Sequence, residues 1–373
     1  MVNVMASGKR NHDDSTLYHA QQSERETCTI DSLPDKCLQH AFSFLHQREL
    51  GKIARVCKKW RLMAYSNQLW QVVSLRPEYN GSFENSSEGD EDVYEVVNIG
   101  KIKSHTPNLR VVNMYGITFI DDSHIELLTS NCIHLECLAL NFCLRVKGSS
   151  FKTLVQRCKK LKTLLLHHTG VEDEYMVAVP WETAQVHELD LTSTELSTEC
   201  LENVLLRIPF FTFLGLGHCE FFTDKILGDM VAKGKFRQLR AIDISSTPAL
   251  SENTIYQICV LGTANGWFLK LTTKVHIDQV IEGFAQYCPY LLRLEIQWDP
   301  DTIRFSDKSS KFVDHIRLKC PFLKSFTLSD GEYYEMVKSN FERADRVKVV
   351  RTTTFYTTSI ISLVSCYNDL LFN

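Results

Sequence analysis

From Leu109 onward the chain keeps returning to one short pattern: an apolar residue, two others, an apolar residue, one other, an apolar residue. The copies are Leu109, Val112, Met114; Leu135, Leu138, Leu140; Leu161, Leu164, Leu166; Val186, Leu189, Leu191; Phe211, Leu214, Leu216; Leu239, Ile242, Ile244; Leu291, Leu294, Ile296; and Leu323, Phe326, Leu328. The first steps between copies are 26, 26, 25, 25 and 28 residues, and the gap from Leu239 to Leu291 is 52, or two periods. A degenerate copy near Leu269 and Leu271 is expected to fill that gap, and a last weak copy to run Ala344, Val347, Val349. The second and third apolar positions of each copy are two apart, so both face the same side of a strand. One such unit cannot cover its own apolar face. Stacking about nine of them creates a continuous core behind a curved parallel sheet.

This period lies within the range of leucine-rich repeats, each a strand followed by a helix or turn. The cysteines follow the same beat. Cys132, Cys158, Cys288 and Cys320 each stand three residues before the first apolar position, and Cys143 and Cys219 three after the third. Cysteines that recur with the repeat, with no C-x-x-C pair, fit packing at tight turns better than a zinc site. The arrangement resembles the cysteine-containing class of leucine-rich repeats, a class that commonly follows an F-box.

Ahead of the repeats, residues 31–75 hold three short helical patterns, too little chain to bury a core unaided. Leu38, Ala41, Phe42 and Leu45 form one apolar stripe; Leu50, Ile53, Ala54 and Cys57 a second; Trp60, Leu62, Met63 and Ala64 a third. Pro34 suits a first helical turn, and Asp35 the positive end of the helix. Leu33-Pro34, Leu38, Phe42, Leu45, Leu50, Ala54, Val56-Cys57, Trp60 and Leu69-Trp70 fall together on the pattern of the F-box, which the segment resembles over nearly its full length. The resemblance implies docking on an Skp adaptor, and through it on a cullin–RING ubiquitin ligase. It places Leu33, Pro34, Leu38, Leu50, Val56, Cys57 and Trp60 at that interface or in its support.

The expected fold is therefore α/β: an N-terminal three-helix F-box followed by a curved leucine-rich-repeat solenoid with a parallel inner sheet. Residues 1–27 read as a disordered tail, 28–78 as the F-box, 79–98 as an acidic flexible linker, 99–355 as the repeats and 356–373 as a C-terminal cap or tail. The linker assignment rests on residues 80–95, NGSFENSSEGDEDVYE, which are acidic and poor in apolar groups. A formal net charge of −4 gives no reason to expect nucleic acid as the main partner. Thirteen cysteines without a dense framework fit reduced thiols in the cytoplasm or nucleus. The N-terminus has no apolar stretch of the signal-peptide kind, and no run of apolar residues is long enough to cross a membrane.

No catalytic constellation, metal site or cofactor site stands out. Gly215-x-Gly217 lacks the third glycine of a phosphate loop, and His167-His168 would point to opposite faces of a strand. The residues flanking the second and third apolar positions point away from the core and form the candidate substrate surface. Tyr115, Leu165 and Phe213 offer apolar groups there, beside His167, Glu188, Asp190 and Asp243. Such a face suits a protein segment with an apolar anchor and basic flanks. The tail of the chain or a neighbouring loop would cover the same groups equally well. The resemblance implies a non-catalytic substrate receptor of an Skp–cullin–F-box ligase; an Skp-bound scaffold or assembly factor shares every one of these features.

Overall fold

The computed structural model describes residues 30, 33–45, 47–66, 68–74, 108–251, 266–271, 275–298, 303–304, 311–329, 334–335, 337–338 and 348–352. The stretches assigned from sequence to a disordered tail (1–27), an acidic linker (79–98) and a C-terminal cap (356–373) lie outside them. The chain divides into two compact units, Met1–Ala64 and Tyr65–Asn373.

The first unit holds three short helices, α1 (Asp35–Phe42), α2 (Gln47–Ile53) and α3 (Lys58–Ala64). Pro34 is the N-cap of α1 rather than part of its first turn, and its carbonyl accepts from Cys37 N–H at 2.9 Å. Cys57 stands just before α3, and its Sγ accepts from Trp60 N–H at 3.4 Å. Leu38, Phe42, Leu50, Ala54, Met63 and Ala64 are buried. The rings of Phe42 and Trp60 meet edge to face at 5.5 Å. An ion pair between Asp35 and Lys59, 3.3 Å apart, ties the start of α1 to α3.

The second unit is a parallel sheet of eleven strands among the described residues. In order they are β1 (Val72–Ser74), β2 (Val111–Asn113), β3 (Cys137–Ala139), β4 (Thr163–Leu165), β5 (Glu188–Asp190), β6 (Phe213–Gly215), β7 (Ala241–Asp243), β8 (Gly266–Leu271), β10 (Arg293–Trp298), β12 (Ser325–Ser329) and β13 (Lys348–Thr352). Two shorter strands, β9 (Val275–His276) and β11 (Ile303–Arg304), pair with each other. Helices α4 (Asp122–Thr129), α5 (Phe151–Arg157), α6 (Asp173–Ala178), α7 (Thr198–Arg207), α8 (Asp224–Ala232), α9 (Ile277–Tyr287) and α10 (Lys311–Lys319) lie between strands. The sheet runs in chain order, as expected when each unit can bury its apolar face only on its neighbours.

The core is built from the predicted repeat residues. Every apolar position from Leu109 to Ile244 is buried, as are Leu291, Leu294, Leu323, Phe326 and Leu328. Ile125 and Leu128, Phe151 and Leu154, and Val204 and Leu205 join them from the helices. Chain turning after each strand is equally regular. Gly116, Phe142, His168, Ser193, His218 and Ser246 all have positive φ, between 51° and 74°. Only the first of them is the residue type that takes this conformation without strain.

Three differences from the sequence reading concern register and extent. The strand filling the double gap aligns Trp267 with Leu294 and Leu269 with Ile296, so the degenerate copy is Trp267 and Leu269, two residues earlier than expected. The last strand aligns Val349 with Phe326 and Arg351 with Leu328, two residues later than Val347 and Val349. The pleat repeats every two residues, so a slip of two keeps the same face inward and sequence pattern alone does not resolve it. The third difference is that the sheet starts inside the interval read as F-box. Val73 pairs with Val112 and is buried in the same core, with Trp70 packed against it. Trp70, Val73 and Leu75 repeat the L-x-x-L-x-L spacing, 39 residues ahead of Leu109 because the acidic segment falls inside this first repeat.

Candidate functional site

Two surfaces carry the candidate residues. On the helical unit, Leu33, Pro34, Val56 and Cys57 are exposed, with Val56 at 62 %. Leu38 and Leu50 are buried at 0 % and 2 %, in the core of the helical unit. Trp60 is half-buried, and its indole Nε1 is sealed from solvent with no hydrogen-bond partner among the described residues. Two further apolar side chains stand out in water: Phe44 at 76 % and Leu62 at 78 %. Leu62 was expected within the third apolar stripe. Trp60, Met63 and Ala64 stand at i, i+3 and i+4, one helix face, and Leu62 lies off it. That spacing was the available signal. A small unit with this many exposed large apolar groups has the composition of an interaction surface.

The second surface is the sheet face opposite the core, and the structure closes most of it. Leu165 and Phe213 are each only 1 % exposed, and Val111, Glu188, Asp190 and Asp243 are buried as well. Tyr115 and His167 remain half-buried. Their rings are linked through Phe142, whose centroid lies 5.1 Å from Tyr115 and 4.8 Å from His167. The flanking positions are therefore not the open, wet row that alternation alone suggests.

The acidic residues have local work there. Asp190 Oδ1 accepts from Thr192 N–H, and Asp243 Oδ1 from Ser245 N–H, each at 2.9 Å. Asn113 Oδ1 does the same for Tyr115 N–H at 3.0 Å. These are Asx turns, in which a short polar side chain bends the chain out of the strand. Glu188 accepts from the Thr163 hydroxyl of the preceding strand. Between the carboxylates of Asp190 and Asp243, β6 ends in Gly215 and the turn after it holds Gly217. A Cβ on Gly215 would come within 2.3 Å of Asp190 Oδ1, and one on Gly217 within 3.0 Å of Asp243 Oδ2. The glycines make room for the carboxylates to lean across the strand. Burial pushes the Asp243 carboxyl up to about 7, against the hydrogen bonds from Ser245, and the charges of Asp190 and Glu295 add to the rise. Burial also lowers His167, while Asp190 pulls it back.

The repeat cysteines are buried, and four of them donate hydrogen bonds from their thiols. Cys143 Sγ donates to the Met114 carbonyl and Cys219 Sγ to that of Leu191, both at 3.1 Å and both one repeat back. Cys158 and Cys320 donate at 3.4 Å to the carbonyls of Cys132 and Cys288. Burial raises these thiols, Cys143 and Cys158 to about 11 and Cys219 and Cys320 to about 12. They are packing groups, not nucleophiles.

Residues 30–76 match the F-box-like family model. Among solved structures, the chain is similar to one in the crystal structure of the Rad7 and Elc1 complex in yeast. That match has 16% identity, covers 69% of this chain and 64% of that one, and has a TM-score of 0.49. The chain thus spans less than two thirds of that relative's length. A second similarity is to the leucine-rich repeat-containing protein LegL7 from Legionella pneumophila, at 10% identity, covering 80% of this chain and 97% of that one with a TM-score of 0.38.

Proposed function

We propose that this chain, an F-box-like domain joined to a leucine-rich-repeat solenoid, is a receptor subunit of a ubiquitin ligase of the Skp–cullin–F-box kind. The F-box surface docks on the Skp adaptor, and the solenoid holds a protein substrate. The chain itself does no chemistry. Its contribution is proximity: a held substrate presents a lysine at high effective concentration to the ubiquitin-loaded enzyme. Such a receptor works in the cytoplasm or nucleus, where buried thiols stay reduced.

The observation that carries this reading is the F-box-like match over residues 30–76, together with the apolar groups its unit leaves in water. Each large apolar side chain buried on docking is worth roughly 1.5 to 3 kcal/mol. The division between exposed and buried positions makes the test sharp. Leu33→Ala with Pro34→Ala, or Val56→Asp, should abolish co-purification with the adaptor and leave the melting temperature unchanged. Leu38→Ala or Leu50→Ala should instead destabilise the helical unit by about 2 to 5 kcal/mol. Undiminished adaptor pull-down by the double variant would sink the assignment.

For the substrate, the half-buried residues Tyr115 and His167 are the better probes of the sheet face. Charge reversal at Asp190 or Asp243 would break Asx turns and place a new charge in a dry site, so a loss of capture there would report unfolding rather than recognition.

A further inference from the structure

A second recognition feature lies where the strands begin. Lys159 and Lys160, in the turn before β4, and Lys162, just ahead of it, converge with Glu136, Thr183 and Gln185 on a cleft of about 340 Å³. The one carboxylate lining this cleft is already engaged. Arg110 Nε donates to Glu136 Oε1 at 2.7 Å and Nη2 to Oε2 at 3.1 Å. That fork, aided by the charges of Lys162 and Lys160, holds the Glu136 carboxyl below its ordinary range. Lys162 Nζ lies 3.8 Å from Oε2, at the edge of ion-pair distance. Lys159 and Lys160 make no ion pair among the described residues. Glu182, next to Thr183 in sequence, is held by Arg207 at 2.8 Å.

The cleft is thus a local surplus of positive charge on a chain whose formal net charge is −4. We propose that it is an anion subsite for a bound protein segment, taking a clustered negative charge, either carboxylates or a phosphoryl group. This rests on the reading of the solenoid as a protein receptor and adds the charge class of what it holds. Three lysines around one small cleft suit a single multivalent oxyanion. A nucleic-acid or membrane surface selects a broad basic stripe, which the overall charge does not favour. Lysine acts here as a point charge, tolerant of either oxyanion geometry. The Gln185 side chain is exposed and supplies an amide donor and acceptor for a peptide main chain.

The test uses the full chain purified with its adaptor and three degenerate peptide pools that differ only at the centre: phosphothreonine, glutamate or threonine. By fluorescence anisotropy, the phosphothreonine pool should bind at least about tenfold tighter than the threonine pool, with the glutamate pool between them. That advantage should shrink as salt rises. K159Q/K160Q/K162Q should reduce it to under about twofold, with adaptor co-purification and melting temperature unchanged. Should the triple variant fold poorly, Lys159→Gln with Lys160→Gln, which breaks no ion pair seen in the structure, is expected to cut the same advantage by at least half. Equal binding of the three pools, or an advantage that survives both variants, overturns the proposal. So does lysine-dependent binding to phosphatidylserine vesicles or duplex RNA without any preference among the peptides. Loss of adaptor co-purification by the unsubstituted chain would instead defeat the receptor reading, whatever the peptides do.

Discussion

Asp243 is buried to 1 % exposure, across β6 from Asp190, and makes no ion pair with a cation among the described residues. Its carboxyl, pushed by burial up to about 7 in the folded chain, stands well above that of an unfolded aspartate. The folded state therefore holds a proton that the unfolded chain has released between about pH 4 and pH 7. The stability this proton confers is complete below the unfolded value and is lost as pH rises through about 7. Asp243→Asn keeps the acceptor for Ser245 N–H and removes the charge. Its advantage over the parent should be about 1.5 kcal/mol at pH 5 and grow toward pH 8, to a ceiling of about 4 kcal/mol. Urea midpoints of both chains at the two pH values measure it, and an equal pH dependence would show that the carboxylate is solvated or paired. This residue also marks the limit of sequence reading at this scale. The i+2 spacing shows that Asp243 faces away from the core, but nothing local to it says whether that face is open. Cys143 and Cys219 were legible because their position recurs. The same place holds Thr169, Thr194 and Thr247, whose hydroxyls donate to the carbonyls of Leu166, Leu191 and Ile244. In these five repeats the place holds a small side chain with one hydrogen to donate, thiol or hydroxyl, and in the first repeat the apolar Ile117 fills it.

Between elements, the joints are made by aspartates at helix starts. Asp122, first residue of α4, accepts from the backbone N–H groups of Lys147, Gly148 and Ser150 and from the Ser150 hydroxyl in the next repeat. Asp173 at the start of α6 accepts from Ser197 N–H at 3.1 Å, and Asp224 at the start of α8 from Ser251 N–H at 2.9 Å. Each carboxylate favours the positive end of its own helix and also anchors the loop that leads into the next. Neighbouring repeats are thereby locked in phase by charge-assisted hydrogen bonds as well as by apolar burial. Asp122→Ala leaves three backbone donors without a partner, so a loss of about 2 to 3 kcal/mol is expected. Chemical denaturation followed by circular dichroism reads this directly, and a loss under about 0.5 kcal/mol would place the stability of the joint in packing alone. The strand positions of these repeats were legible because three apolar residues at fixed spacing leave little freedom. The aspartate joints were not, because Asp122, Asp173 and Asp224 recur only in every second repeat, 51 residues apart.

For the molecule as a whole, the decisive boundary is where the helical unit stops and the solenoid starts. The motif spacing places Leu69-Trp70 at the close of the F-box, whereas Trp70 packs on the solenoid core and Val73 lies inside it. A repeat array is stable only if its end is covered, because a bare terminal strand exposes both an apolar face and unpaired backbone groups. β1 provides that cover for β2, with Val72, Val73 and Ser74 opposite Val111, Val112 and Asn113. Two truncations distinguish the boundaries. A fragment of residues 65–373 retains β1 and Trp70 and should unfold in one cooperative transition as a monomer. A fragment of residues 79–373 starts after the interval that sequence alone assigns to the F-box, and so lacks both. Losing the burial of Trp70 and Val73 should cost it roughly 3 to 6 kcal/mol relative to the longer fragment. It should also expose the edge of β2, giving concentration-dependent association in size-exclusion chromatography. Equal midpoints and equal elution for the two fragments would mean that β2 ends the solenoid unaided. The stretch from Tyr65 to Ser74 would then belong with the helices it follows rather than with the sheet it joins.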